Sequence, residues 1–108
     1  MSIFSALSAA STNLTSVSTT PGTLTGWSIR NTSASTRYVR VYDKASAPVP
    51  ASDVPKLRIA IPAGGVSDQS QLTLWFMNGI ALDITGAAAD TDTTAVAAND
   101  VALNLFLA

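Results

Sequence analysis

Through most of this chain apolar residues recur at every second position, the period of a strand with one buried and one open face. No helical period of comparable length competes with it. Val39 and Val41 alternate with Tyr38, Arg40 and Tyr42, and Leu57, Ile59 and Ile61 alternate with Lys56 and Arg58. Leu72, Leu74 and Phe76 are interleaved with Gln71, Thr73 and Trp75, and Ile80, Leu82 and Ile84 with Ala81 and Asp83. The chain closes with Val101, Leu103, Leu105 and Leu107 set against Ala102, Asn104 and Phe106. Adding the Leu24, Trp27 and Ile29 run and a weaker segment from Leu14 to Val17 yields about seven strands at short spacing, the signature of an antiparallel sandwich or barrel. Asn78-Gly79 lies between two alternating runs and predicts a hairpin turn. The expected fold is therefore all-β: an antiparallel β-sandwich, jelly-roll-like, with Val39, Val41, Leu57, Ile59, Leu72, Leu74, Ile80, Leu82, Leu103 and Leu105 inward.

A chain of 108 residues supports a single core. Its charge-free beginning divides it into an extended N-terminal arm, 1–20, and a β-sandwich domain, 21–108. The arm has few large apolar side chains and many hydroxyls, so it cannot bury enough surface to fold alone. It is expected to be ordered by a neighbour, with Ile3, Phe4 and Leu7 as its docking patch. Thirteen of the first 29 residues are Ser or Thr, which leaves no apolar span long enough for a membrane. The start also lacks the positive region of a leader.

The side chains that are missing limit the chemistry. Cysteine and histidine are absent and all seven acidic residues are aspartate, so there is no thiolate nucleophile, no imidazole ligand and no near-neutral general base. No phosphate-cradling glycine motif occurs. An enzyme is not expected, and neither is a cofactor. Only 12% of residues are charged while 47% are hydrophobic, and the net charge is -1. Near-neutral surfaces of this kind favour association. A homo-oligomer is expected, most simply a trimer.

Charge is divided along the chain. All six bases lie in residues 1–58 with two aspartates, and the other five aspartates lie in residues 59–108. Pairing within one molecule is favoured over pairing between copies. The bases form no sustained stripe, so nucleic acid is not an expected partner. Two connections are long, 44–55 with three prolines and 86–100 with Asp90 and Asp92. Loops of this length tend to carry function, and both are expected where a neighbour would be met. Asp90 and Asp92 invite a calcium reading, but the glycine and glutamate of an EF-hand loop are missing and turn hydrogen bonding accounts for both, so no metal is expected.

The alternation turns Tyr38, Arg40, Tyr42, Trp75 and Phe106 away from the apolar rows. Aromatics and arginine are enriched at protein contacts, which makes these residues candidates for subunit contact. The same row could be covered by the chain's own residues 1–20, or could serve as a sugar-stacking platform.

Three phrases carry a family resemblance: Arg37-Tyr38-Val39-Arg40-Val41-Tyr42-Asp43-Lys44-Ala45-Ser46-Ala47-Pro48, Ile59-Ala60-Ile61-Pro62-Ala63-Gly64-Gly65, and the stretch from Asn78-Gly79-Ile80 to Thr94-Ala95-Val96. From Thr36 onward, over about two thirds of the chain, the sequence resembles small virion structural proteins of tailed bacteriophages, and it looks like their capsid cement or decoration type. That resemblance implies a place on the virion, at the capsid surface, with the major capsid protein as partner. The alternative it leaves open is a tail, fibre or receptor-binding module in which the 44–55 and 86–100 connections present a host-glycan site. The phrases are not catalytic motifs and carry over no functional residues.

Overall fold

The computed structural model describes residues 2–108, which form nine strands in two antiparallel sheets, with no helix among the described residues. The first sheet has the order β1 (Ser2–Leu7), β9 (Val101–Leu107), β3 (Gly22–Asn31), β6 (Val66–Gln69), and β7 (Leu74–Phe76) also pairs with β3. The second has the order β2 (Thr15–Ser18), β8 (Ile80–Thr85), β4 (Arg37–Tyr42), β5 (Leu57–Ile61). Only the connections β4 to β5 and β6 to β7 join strands of one sheet; every other connection crosses between sheets.

The apolar rows of both sheets meet in one core. Leu24, Ile29, Val101, Leu103 and Leu105 of the first sheet pack with Val39, Val41, Ile59, Ile61, Ile80, Leu82 and Ile84 of the second. Phe76 and Val96 complete it. The expected inward row is present with three differences: Leu57, Leu72 and Leu74 are only partly buried, because they lie at the margin of the core. Every residue of β8 is buried, so material also covers the outer side of the second sheet.

The N-terminal segment differs most from the expectation. It is not an arm awaiting a neighbour: β1 runs antiparallel to β9 with Phe4 opposite Leu105, and β2 pairs with β8. A segment poor in large apolar residues is ordered here because ladder hydrogen bonds satisfy its backbone along open sheet edges. Ser8 fastens its middle, donating to the carbonyl of Ala97 at 2.9 Å and accepting from the Val101 N–H at 3.1 Å. Met1, which the sequence also placed in the arm, lies outside the described residues.

Two further strands depart from the alternation. β6 was not legible as a strand because Val66–Gln69 contains a single apolar residue, and β7 is shorter than the Gln71 to Phe76 run suggests. Asn78-Gly79 is not a hairpin turn: β7 belongs to the first sheet and β8 to the second, so these residues carry the chain across the core. A Cβ at Gly79 would stand 2.6 Å from the Ser18 carbonyl oxygen and 2.7 Å from the Cα of Ala45, so close backbone packing requires glycine there. The crossing is held by the Asp43 carboxylate, which accepts from the N–H groups of Met77 and Asn78 at 3.1 and 2.8 Å.

Candidate functional site

The outer faces of the two sheets differ, and the difference follows from what each strand presents there. On the second sheet Arg40 of β4 stands directly opposite Asp83 of β8, a cross-strand pair of opposite charge. Arg40 is 1% exposed and Asp83 is fully buried. The Arg40 Nε–H donates to Asp83 Oδ1 at 2.8 Å and an Nη2–H donates to Oδ2 at 2.6 Å. The remaining guanidinium donors reach the carbonyls of Ala89, Asp90 and Asp92 at 2.7, 2.6 and 2.8 Å. All five donors of the guanidinium are thereby used, and the 86–100 connection is clamped over the sheet.

The rest of that face is satisfied in the same way. The Tyr42 hydroxyl donates to Asp83 Oδ2 at 3.0 Å. Burial, reinforced by the Asp83 charge, pushes the Tyr42 phenol well above its usual range, so it remains a donor. Burial works against the charged form of Arg40, but the hydrogen bond and charge of Asp83 outweigh it and the guanidinium is held more firmly protonated. Arg58 lies opposite Arg40 on β5, a like-charge pair. Asp90 relieves it by accepting from Arg58 Nε and Nη2, both at 2.6 Å, and this pairing holds the Asp90 carboxyl below its ordinary range. Asp92 accepts from the backbone and hydroxyl of Thr94, so both loop aspartates are engaged within the chain. Lys44 and Asp53 are bridged at 2.5 Å across the base of the 44–55 connection, and the Lys44 ammonium lowers the Asp53 carboxyl. Pro48, Pro50 and Pro55 are buried and seat that connection on the protein, while Val49, Ser52 and Val54 between them are exposed.

The outer face of the first sheet has no such cover. Register places Ile3, Ser5 and Leu7 of β1 beside Phe106, Asn104 and Ala102 of β9, and these beside Gly26, Ser28 and Arg30 of β3. Ile3 is 56% exposed, Leu7 63% and Val66 56%. Phe106 is half-buried because it lies over Gly26, where a Cβ would come within 3.2 Å of its ring and 2.4 Å of the Gln69 carbonyl oxygen. Ile3, Phe106, Thr25, Gln71 and Leu72 line an open, largely apolar groove of about 630 Å³. Trp75, opposite Thr23 on the same sheet, is 52% exposed. Arg30 and Asp68 are the charged residues of this face, and neither has an ion-pair partner among the described residues. Three of the five ion pairs among the described residues, Arg37 with Asp100, Arg40 with Asp83 and Arg58 with Asp90, join the basic and acidic parts of the chain within one molecule.

The eight residues expected at subunit contacts therefore separate. Ile3, Leu7 and Phe106 share the open face, and Trp75 stands on its β7 margin. Phe4 points the other way and packs on the core. Arg40 and Tyr42 are corrected from surface to interior, because the 86–100 connection supplies the carbonyls and Asp83 the charge that bury them. Tyr38 is half-buried beside Thr85. Val66, Arg30 and Asp68 join this face without a signal in the sequence, because β6 has no alternation and a single arginine at the end of β3 does not show which face it shares. Comparison with protein-family models, curated proteins and solved structures finds no match to this chain.

Proposed function

We propose that the protein is a non-enzymatic structural component of a bacteriophage virion, a cement or decoration protein that stabilises the capsid by bridging its subunits. In this reading the two facing sheets are a jelly-roll-like β-sandwich whose covered side is self-contained and whose open side makes the contacts. One observation carries it: the outer face of the second sheet is closed by satisfied polar groups, while the first sheet leaves Ile3, Leu7, Val66 and an apolar groove in solvent. Leu14, Val49, Val54 and Met77 are exposed singly on connections, whereas Ile3, Leu7, Val66 and Trp75 share one sheet face, and exposed apolar residues grouped on a face mark an interaction site. The partner is the major capsid protein, met by a homo-oligomer, and repeated weak contacts over a shell add through avidity.

A second reading, a tail, fibre or receptor-binding module presenting a host-glycan site, is favoured by the exposed Trp75 ring, which suits stacking on a sugar. Imaging of particles labelled with an antibody to the protein separates the two. Label over the whole head supports cement, label at one vertex or along the tail supports the second reading, and particles without label remove both.

A further inference from the structure

The free edge of β1 distinguishes itself from the other sheet edges. Sheet edges expose unpaired N–H and C=O groups, and proteins guard them with charge, proline, bulges or brevity. β5 carries Arg58 and is bracketed by Pro55 and Pro62. β2 has four residues and its register shifts between Ser16 and Ser18. β6 has four residues and carries Asp68, and β7, which shares that side of β3, has three. β1 has six residues in unbroken register with β9, without charge, proline or bulge.

The side chains and the backbone of β1 point to the same occupant. Ser8 N–H donates to the Val101 carbonyl at 2.8 Å, so the even-numbered residues direct their backbone groups towards β9. Antiparallel alternation then turns the N–H and C=O of Ile3, Ser5 and Leu7 outward to the free edge. These residues also place their side chains on the open face, where Ile3 and Leu7 are among the most exposed apolar residues of the chain. A strand with this pattern is complementary to itself. Centred on Ser5, an antiparallel pairing sets Ile3 against the partner's Leu7, Leu7 against the partner's Ile3, and Ser5 against its own copy. Every outward backbone group in that span then gains a partner, and each exposed aliphatic gains an aliphatic neighbour. Phe4 meets the partner's Ala6 on the inner side.

We infer that β1 is a homotypic strand-addition site, through which two copies join about a two-fold axis at Ser5 into one continuous sheet. The unit is then two-fold instead of the trimer expected from the sequence. The inference deepens the assembly reading by naming a partner, yet purified protein alone tests it. Absence of label from particles leaves the dimer standing, and absence of the dimer leaves the particle reading to its own test.

The chain has no cysteine, so Ser5→Cys introduces a single thiol. Directly opposed residues of a hydrogen-bonded antiparallel pair lie about 5.5 Å apart at Cα, within disulfide range. Under mild oxidation Ser5→Cys should form a covalent dimer at least about tenfold faster than Ser52→Cys on the exposed 44–55 connection, because the two-fold raises the local thiol concentration. Light scattering should give a dimer for the wild type at tens of micromolar. Leu7→Lys, a charge guard at a solvent-exposed position, should give a monomer with an unchanged far-UV circular dichroism spectrum and a thermal midpoint that, unlike the wild type's, does not rise with protein concentration. A monomeric wild type overturns the inference, as does a dimer that Leu7→Lys leaves intact or that Ser5→Cys does not trap. Crosslinking of Ser5→Cys to a different protein, only when particles are present, also overturns it and assigns the edge to a foreign strand.

Discussion

Arg40 shows how one side chain can organise half of the molecule. Its five donors bind Asp83 and three loop carbonyls, so it joins β4, β8 and the 86–100 connection in one desolvated network. Removing one member of a buried ion pair leaves the other uncompensated. Arg40→Met should therefore lower unfolding stability by about 3 to 5 kcal/mol in denaturant melts. The double variant with Asp83→Leu should be less destabilised than the sum of the single variants, because it removes the stranded charge. Asn31 has a similar role at the end of β3. Its amide donates to the carbonyls of Ser35, Ile61 and Pro62 and its oxygen accepts from Ser33, which ties the first sheet to the end of β5. Leu103 is a plain core residue, 1% exposed, and Leu103→Ala should cost about 2 to 5 kcal/mol by the same melts.

At the scale of elements, the N-terminal strands form one edge of each sheet. Deleting residues 1–10 should remove the ladder to β9 and the Phe4 cover of the core. Net contributions near 1 kcal/mol per hydrogen bond put the loss at about 3 kcal/mol or more. A truncated protein with an unchanged thermal midpoint would show that β1 is dispensable to the fold. The bulge of β3 between Leu24 and Gly26 sets a second element-level constraint, since Phe106 and the Gln69 carbonyl fill the space beside Gly26. Gly26→Ala forces that backbone apart and should destabilise by about 1 to 3 kcal/mol, in the range of overpacked sites.

For the whole molecule, the absence of histidine removes the side chain that ordinarily titrates between pH 5 and 8. The thermal midpoint should be flat across that interval. On the acid side, several carboxyls are held below the ordinary aspartate range: Asp53 by Lys44, Asp90 by Arg58, and Asp43 and Asp92 because, against a burial that raises them, backbone and hydroxyl hydrogen bonds and nearby cations prevail. A depressed carboxyl contributes stability that is present above the unfolded value and lost as pH falls through the folded one. Stability should therefore begin to fall below about pH 4. The Tyr42 phenol is shifted the opposite way, so its contribution is present below about pH 10 and is lost as pH rises towards its elevated folded value. In an alkaline titration followed at 295 nm, the phenolate signal of Tyr42 should appear only as the chain unfolds, and Tyr42→Phe should remove that step.

Strand character and inward rows are legible wherever alternation is written locally, because such a strand carries its own two faces and needs no knowledge of its neighbours, whereas β1 and β6 lack that pattern and are ordered only by the strands they pair with. Val39, Val41, Ile80, Leu82, Leu103 and Leu105 were legible for that reason. Sheet membership was not legible, since a run such as Leu74–Phe76 has the same period whether the next strand pairs with it or crosses to the other sheet. Nor was the separation of the open face from the covered one. Whether Arg40 is a surface contact or an interior clamp depends on Asp83 and on carbonyls as far along the chain as Asp92, 52 positions away. Only the tertiary structure brings those groups together, because local patterning specifies which side of a strand is apolar and distant segments decide what covers the side that is not.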